Sequence, residues 1–220
     1  MNHRPSGTRS ETKFIVIRHG ETVWNKLGRK QGHRDSPLTA TGIRQSEAIA
    51  LRLSEEIFTH LYSSDLGRTH QTAKLIAART GHEILLDFNL RERNFGIFQG
   101  LTDDQIREQH PLEYDCYQAS AVDYVIPEGE SLRQLYARSI VCLQNLSTRH
   151  AGQSIAIVTH GGVIDSWFRF VFDIPLDAPR KAKLWNAGLN CIAREADGEW
   201  RLHTWGDQSH IRFTHALDDT

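Results

Sequence analysis

Residues 13 to 25 read KFIVIRHGETVWN, an apolar run that ends on charged and polar side chains. The run from 14 to 17 consists of aromatic and β-branched residues without polar alternation, which is typical of a strand covered on both faces. Arg18, His19 and Gly20 follow directly. A guanidinium placed after a buried strand needs an anionic partner, because its desolvation is otherwise costly. The stretch therefore predicts a strand that brings an anion-binding group to the edge of a sheet.

A second stretch repeats this arrangement. Residues 154 to 159, SIAIVT, form another apolar run and are followed by His160, Gly161 and Gly162. In open α/β sheets, ligands bind beyond the carboxyl ends of the strands. One histidine at a strand end is more often a structural hydrogen-bonding group than a catalytic one. Two strands that end in His-Gly favour a shared functional site.

Helix-like and strand-like patterns alternate along the rest of the chain. We expect an α/β fold, a three-layer sandwich with a mostly parallel central sheet, helices on both faces and a small helical cap insertion at about 101–130. One domain is expected over 13–213, between a disordered N-terminal tail, 1–12, and a C-terminal tail, 214–220. The predicted elements are a helix at 43–57 capped by Thr41, a strand through Tyr62, a helix capped by Ser64 or Asp65 and ended by Gly81, a helix after the capping box Ser131 and Gln134, a helix after Gly162, and strands at 189–194 and 200–205.

Length, composition and charge exclude several classes of protein. A chain of 220 residues with 39% hydrophobic and 24% charged residues can bury one substantial core. Its net charge of -1 gives no broad basic surface, so neither nucleic acid nor a membrane is an expected partner. The polar start of the sequence and the lack of a long apolar run predict a cytoplasmic protein.

Cys116, Cys142 and Cys191 have no disulfide or metal spacing and are expected to be buried thiols. The sequence does not determine the oligomeric state, and it is compatible with a homodimer.

Further motifs follow the first one in a fixed order. They are QGHRDSPLT at 31–39, SSDLGRTHQTA at 63–73, LRERNFGIFQG at 90–100, PEGES at 127–131 and VTHGG at 158–162. Together with RHGET and the following WN, this series resembles the histidine phosphatase superfamily, which contains the phosphoglycerate mutases and many small-molecule phosphatases. The resemblance spans the chain from residue 13 to about 211 and is closest to its phosphatase branch.

The resemblance implies a set of catalytic residues. His19 is expected to attack phosphorus as a neutral imidazole whose other nitrogen donates to a backbone carbonyl. Arg18, Arg68 and His160 are expected to neutralise the transferring phosphoryl group. Glu92 is expected to give a proton to the leaving oxygen, since an incoming phosphate would favour its protonated form. The alternative for Glu92 is a surface carboxylate paired with a neighbouring arginine.

The same resemblance suggests substrate-binding residues. These are Thr22, Asn25, Gln31, Gly32 and Gly161. Gln31 and Gly32 are equally compatible with ordinary loop residues, because their residue types favour turns. No metal or other cofactor is expected.

The remaining histidines and Glu21 have lesser expected roles. Among the histidines, His203, His210 and His215 are interpreted as structural or surface groups, although His210 matches a C-terminal position of the family. Glu21 is expected to orient Arg18.

The cap decides between hydrolysis and phosphoryl transfer within a substrate. Mutases of this family hold a second anion with basic residues after the acid motif, whereas 101–126 here contains six acidic residues and only Arg107 as a basic one. We therefore expect a phosphatase, a phosphoric monoester hydrolase of the histidine acid phosphatase type, acting on a sugar phosphate, nucleotide or cofactor precursor. A phosphoglycerate mutase and a non-catalytic phosphate-binding module are the alternatives. Specificity is expected to depend on 101–130 and 174–184.

Overall fold

Strand β1 (Thr12–Arg18) lies inside a six-stranded sheet, between β4 and β5. The structure is a computed structural model that describes residues 11–119 and 122–212. The strand begins at Thr12, one residue before the expected start of the domain. Residues 1–10 and 214–220 of the expected tails lie outside the described residues.

The sheet has the order β3-β2-β4-β1-β5-β6 and is mostly parallel, as predicted. Among the described strands, β5 runs opposite to the other five and pairs antiparallel with both β1 and β6. The other strands are β2 (His60–Ser63), β3 (Ile84–Leu86), β4 (Ser154–Thr159), β5 (Leu189–Arg194) and β6 (Trp200–Asp207). The helices are α1 (Val23–Lys26), α2 (Ala40–Leu53), α3 (Gly67–Thr80), α4 (Asp103–Gln109), α5 (Pro111–Ala119), α6 (Leu132–Arg149), α7 (Gly161–Val171) and α8 (Ser209–Arg212).

The sheet is covered on both faces, which confirms the expected three layers. In β1, Phe14 and Val16 pack into a core with α6 and α7, whereas Ile15 and Ile17 pack into a core with α2 and α3. These four side chains are at most 2% exposed. Successive residues of a strand point to opposite faces, so a continuous apolar run fills both cores at once.

The predicted start and end of α2 were wrong. The helix begins at Ala40 and is capped by Thr39, whose hydroxyl accepts the amide of Gly42, rather than by Thr41. It ends at Leu53. Residue Ile57, which has helical spacing in the sequence, is 92% exposed and adds nothing to the core.

The predicted cap of α3 was also wrong. The helix begins at Gly67, and Leu66, which precedes it, makes no side-chain cap. Asp35 supplies the missing acceptor from another loop by binding the amide of Gly67. Ser64 and Asp65 instead bind side chains elsewhere. Gly81 ends the helix in a left-handed conformation, as predicted.

The cap insertion consists of α4 and α5 and has its own small core. Phe98, Ile106 and Ile126 are buried there, and Tyr114, Tyr117 and Tyr124 pack against them. The tyrosines of the segment therefore mainly attach the cap to the domain.

Two further expectations concerned the burial of the cysteines and the absence of a membrane-spanning segment. Cys142 and Cys191 are buried as expected, and their burial raises the thiol pKa to about 12 and about 11. Cys116 is exposed on α5, contrary to expectation, because the cap helix turns this residue to solvent. None of the described helices is both long and apolar enough to cross a membrane.

Candidate catalytic site

Two neighbouring parallel strands, β1 and β4, bring Arg18, His19 and His160 to one edge of the sheet. Strand β1 ends at Arg18, which pairs in register with Thr159 at the end of β4. The amide of His19 donates to the carbonyl of Thr159 at 3.0 Å, and His160 follows. The rings of His19 and His160 lie 5.3 Å apart between centroids. The two His-Gly strand ends thus meet, as the sequence predicted.

His19 has the environment of a neutral nucleophile. Its Nδ1 atom lies 2.8 Å from the carbonyl of Gly20, and donation there leaves a lone pair on Nε2. Burial, followed by the charges of Arg68 and Arg18, holds the pKa of His19 well below its usual range. Gly20 permits this close packing, because a Cβ atom there would lie 2.4 Å from the carbonyl oxygen of Gly42.

Arg68 is almost completely buried, with 1% of its surface exposed. Its Nε atom donates to His19 Nε2 at 3.3 Å, and Nη2 donates to the carbonyl of Gly32 at 2.8 Å. Nη1 forms an ion pair with Asp35 at 2.8 Å. Asp35 therefore both caps α3 and compensates the charge of Arg68, so the guanidinium stays beside the nucleophile.

Arg18 and His160 complete the polar groups around His19. Arg18 Nη1 donates to the carbonyl of Leu184, which connects β1 to the segment before β5. Nε2 of His160 lies 3.0 Å from the hydroxyl of Ser64, and its buried Nδ1 has no hydrogen-bond partner among the described residues. Burial lowers the pKa of His160 well below its usual range. One ring nitrogen of His160 is thus left for a further hydrogen bond.

Glu92 points into the site rather than pairing with neighbouring arginine side chains. Its Oε1 accepts the backbone amide of Arg93 at 2.8 Å, and its Oε2 accepts the amide of Gly162 at 3.1 Å. The guanidinium of Arg91 binds Asp65. The alternative of a surface ion pair for Glu92 is therefore wrong.

Thr22 and Asn25 form the capping box of α1. Their side chains bind each other's backbone amides at 3.1 Å. Asn25 lines the cavity beside His19, whereas Thr22 is fully buried and does not. The side chain of Glu21 accepts the hydroxyl of Thr39 at 2.6 Å, at the N-terminus of α2, and its expected role in orienting Arg18 stays a prediction.

Gln31, Gly32 and Gly161 also line the cavity. The side-chain oxygen of Gln31 is buried without a hydrogen-bond partner among the described residues. Gly32 has a left-handed φ of 58°, and a Cβ atom there would lie 2.5 Å from Gln99 Oε1. Position 32 therefore favours glycine for two reasons. Its backbone conformation is left-handed, and a Cβ atom would collide with Gln99.

The cavity has a volume of about 460 Å³, which suits a small molecule. Four cationic side chains that the sequence analysis did not select line it: Arg29, Lys30, Arg93 and Arg180. Lys30 pairs with Asp103 at 3.0 Å. Arg93 is 5% exposed, lies over the rings of Phe95 and Tyr117, and has no carboxylate partner within ion-pair distance in the described parts of the chain.

The charge of the cap is a poor guide to the charge of the cavity. Of the residues described between 101 and 126, Tyr117 alone lines the cavity, and the six acidic residues do not. Arg180 and Leu184 reach it from the second predicted specificity segment. The expectation that the cap cannot hold a second anion therefore does not apply to the cavity as a whole.

His203 and His210 do not line this cavity, whereas Nε2 of His33 lies 3.0 Å from the carbonyl of Glu92. Nε2 of His210 lies 2.9 Å from the carbonyl of Ala187, a structural contact near β5. His203 lies near Glu11 and Glu195, with one ligand atom of each within 4.8 Å of the others. Sequence spacing did not indicate this group, because its members come from three separate segments. His215 lies outside the described residues.

Known proteins are similar to this chain over most of its length. The chain is 41% identical over 207 residues to phosphoglycerate mutase-like protein 4 of Arabidopsis thaliana, covering 92% of this chain and 88% of that protein. It is 38% identical to the metal-independent phosphoserine phosphatase of the same plant, covering 91% and 83%. It is 36% identical to the probable phosphoglycerate mutase GpmB of Escherichia coli, covering 94% and 98%.

A solved structure and a family match point the same way. Bacillus stearothermophilus YhfR superimposes with a TM-score of 0.83 at 31% identity, covering 91% of this chain and 99% of that one. Residues 14–208 match the family described as the histidine phosphatase superfamily (branch 1). The chain therefore belongs to branch 1 of the histidine phosphatase superfamily.

Proposed function

We propose that the protein hydrolyses the phosphomonoester of a small molecule through a phosphohistidine formed on His19. The observation that carries the proposal is the buried neutral imidazole, whose Nε2 faces the Nε–H of Arg68 at 3.3 Å in a cavity that Arg18 also lines. A phosphoryl group needs a nucleophile and preorganised positive charge in one place. Relatives described as phosphatases add support.

In the first step, His19 Nε2 attacks phosphorus and the bond from phosphorus to the ester oxygen breaks. Arg18, Arg68 and His160 donate to the phosphoryl oxygens and stabilise the charge that develops there. Glu92 gives its proton to the leaving oxygen, which departs as an alcohol. A phosphate dianion beside Glu92 favours its protonated form, because two neighbouring anions repel each other.

In the second step, water attacks the phosphohistidine. The Glu92 carboxylate accepts the proton of that water, the bond between phosphorus and nitrogen breaks, and its electron pair returns to His19 Nε2. Inorganic phosphate leaves, and the enzyme returns to its starting state. The residues supply every proton and charge in this scheme, so we propose that hydrolysis needs no metal.

Phosphate release from p-nitrophenyl phosphate and from a panel of sugar phosphates, nucleotides and cofactor precursors tests the proposal. We expect turnover in the presence of EDTA and its loss by roughly four orders of magnitude or more in His19→Ala. His203→Ala is the matched control and should retain activity. Full activity in His19→Ala would exclude the mechanism. Phosphate binding without turnover on any ester would favour the non-catalytic module.

A phosphoglycerate mutase is the second candidate. Arg93 and Arg180 on the cavity wall favour it, because a second anionic group would complement their charge, and a relative is described as a probable phosphoglycerate mutase. With enzyme primed by 2,3-bisphosphoglycerate, a mutase converts 3-phosphoglycerate to 2-phosphoglycerate faster than it releases phosphate. We expect phosphate release to be faster than isomerisation. Faster isomerisation would mean that the enzyme is a mutase and not a phosphatase.

A further inference from the structure

The proposed acid, Glu92, lies on a segment without regular secondary structure. It falls between two short 3-10 turns, at residues 88–90 and 96–98. No ladder of backbone hydrogen bonds holds this segment in place, so side chains from elsewhere must locate it. A general acid works only when its carboxyl group lies within hydrogen-bond reach of the leaving oxygen.

Arg138 on helix α6 binds the backbone of this segment at three points. Its Nη1 donates to the carbonyl of Asn89 at 2.7 Å and to that of Arg91 at 3.1 Å. Its Nη2 donates to the carbonyl of Glu92 itself at 3.3 Å. One rigid guanidinium thus holds the backbone carbonyls of Asn89, Arg91 and Glu92.

Glu130 holds both the guanidinium and the other side of the segment. Its two carboxylate oxygens bind Arg138 at 3.2 and 3.0 Å in a bidentate pair. The same carboxylate accepts the backbone amide of Asn94 at 3.0 Å. The pair is partly buried, with 17% and 22% of the two side chains exposed, so it is screened less than a surface ion pair.

Arg138 binds the backbone carbonyl of Glu92, whereas other groups bind the Glu92 carboxylate. The Glu92 carboxylate accepts the amides of Arg93 and Gly162, and its backbone carbonyl is bound by Arg138. Neither Arg138 nor Glu130 lines the cavity. The pair can therefore act on the reaction only through residues that it contacts, which are the segment of Glu92 and Arg93, whose Nε donates to the carbonyl of Glu130.

We propose that Arg138 and Glu130 are positioning residues that hold the Glu92 carboxyl group at the leaving oxygen. The inference rests on the proposed function, in which Glu92 protonates that oxygen as its bond to phosphorus breaks. Without the pair, the carbonyls of Asn89 and Arg91 lose the Arg138 donor, that of Glu92 is left with His33 Nε2 at 3.0 Å, and the segment shifts. A shift on the order of 1 Å is enough to reduce proton transfer strongly.

The dependence of rate on the leaving group separates this role from phosphate binding or general stability. p-Nitrophenolate leaves readily without protonation, whereas phenolate is more basic and relies more on the acid. The ratio of kcat/KM for p-nitrophenyl phosphate to that for phenyl phosphate should therefore rise by about tenfold in Arg138→Met and in Glu92→Gln. Arg138→Lys keeps the charge but not the fork, and it should give an intermediate ratio.

Arg133→Met is the matched control. Arg133 lies on the same helix and forms a bidentate pair with Asp123, but this pair is exposed and distant from the acid. Its ratio should equal that of the wild type. Glu130→Gln is the second variant and answers the same question if Arg138→Met does not fold.

The outcomes distinguish the inference from the function. A raised ratio in Glu92→Gln with an unchanged ratio in both Arg138→Met and Glu130→Gln overturns the positioning role and leaves the proposed mechanism intact. An unchanged ratio in Glu92→Gln overturns the acid role and the inference together. A raised ratio in Arg133→Met would mean that any loss on α6 has this effect, and it also overturns the inference.

Discussion

At the scale of the residue, His19 combines opposing requirements. In the proposed mechanism it must remain neutral to attack phosphorus, yet it lies beside two guanidinium groups that would bind the phosphoryl anion. Burial and the two positive charges act in the same direction and disfavour the imidazolium form. In the proposed mechanism, the arginines that bind the phosphoryl group therefore also keep His19 in its neutral form.

This environment predicts the titration of His19. Its pKa is lowered, so the ring should stay neutral as the pH falls through about 6.5, where an unperturbed histidine gains a proton. Ring nitrogen shifts in an NMR titration from pH 8 to 5 measure this, with the denatured chain as the reference. Protonation of His19 at or above the reference pH would contradict the prediction.

Gly162 predicts a steric effect on the acid. A Cβ atom at this position would lie 2.1 Å from Glu92 Oε1, whereas one at Gly161 would find its nearest atom at 3.7 Å. We expect Gly162→Ala to reduce kcat/KM for phenyl phosphate by about 10- to 100-fold, because the carboxyl group is displaced. Gly161→Ala should lose much less. Equal losses in the two variants, measured in parallel, would exclude displacement of Glu92 as the cause.

At the scale of the element, helix α3 depends on a residue outside itself. Asp35 caps its first turn and pairs with Arg68 in that turn. Asp35→Ala should lower the free energy of unfolding by about 1–2 kcal/mol, because the cap acceptor is lost. It should also raise KM, because the position of Arg68 is no longer fixed. Urea denaturation and steady-state kinetics measure the two effects.

Asp35→Asn is the matched variant for this prediction. Asparagine keeps a cap acceptor but not the charge. Asp35→Asn should therefore keep most of the wild-type stability, while its KM should remain raised. Thr41→Ala, at the position that the sequence wrongly indicated as a cap, should leave stability within about 0.5 kcal/mol of the wild type. A larger loss at Thr41 than at Asp35 would contradict the capping role of Asp35.

At the scale of the whole molecule, buried histidines couple stability to pH. Burial lowers the pKa of His19, His150 and His160. Below about pH 6.5 the unfolded chain binds more protons at these residues than the folded chain does. Unfolding then takes up protons, so stability must fall as the pH falls through that range and rise again as the pH rises.

Urea midpoints between pH 8 and 5 test this coupling. We expect a decline that begins near pH 6.5 and that becomes shallower in His150→Gln, which removes one of the titrating groups. Thr41→Ala, which removes no titrating group, should keep the slope of the wild type. A midpoint that is constant or that increases as the pH is lowered would contradict the sign of the effect.

Elements whose signal lies within a short stretch of the chain were predictable from the sequence. The strand 14–17 and its neighbour 154–159 were predictable, because an apolar run of that length carries its own burial pattern. The start of α2 was not, because Thr39 and Thr41 are both suitable caps and tertiary packing selects between them. The charge of the cavity was misjudged because the cap was counted instead of the side chains that face inward.

By itself, the sequence determined the α/β architecture, the meeting of two His-Gly strand ends and the superfamily, because these follow from short contiguous patterns and their order. Only the tertiary structure decided that Asp35 caps α3, that Arg93 and Arg180 face the cavity, and that Arg138 reaches the segment of Glu92. Such contacts join segments far apart in the chain. They depend on the direction in which each side chain leaves a packed backbone, and linear order does not carry that information.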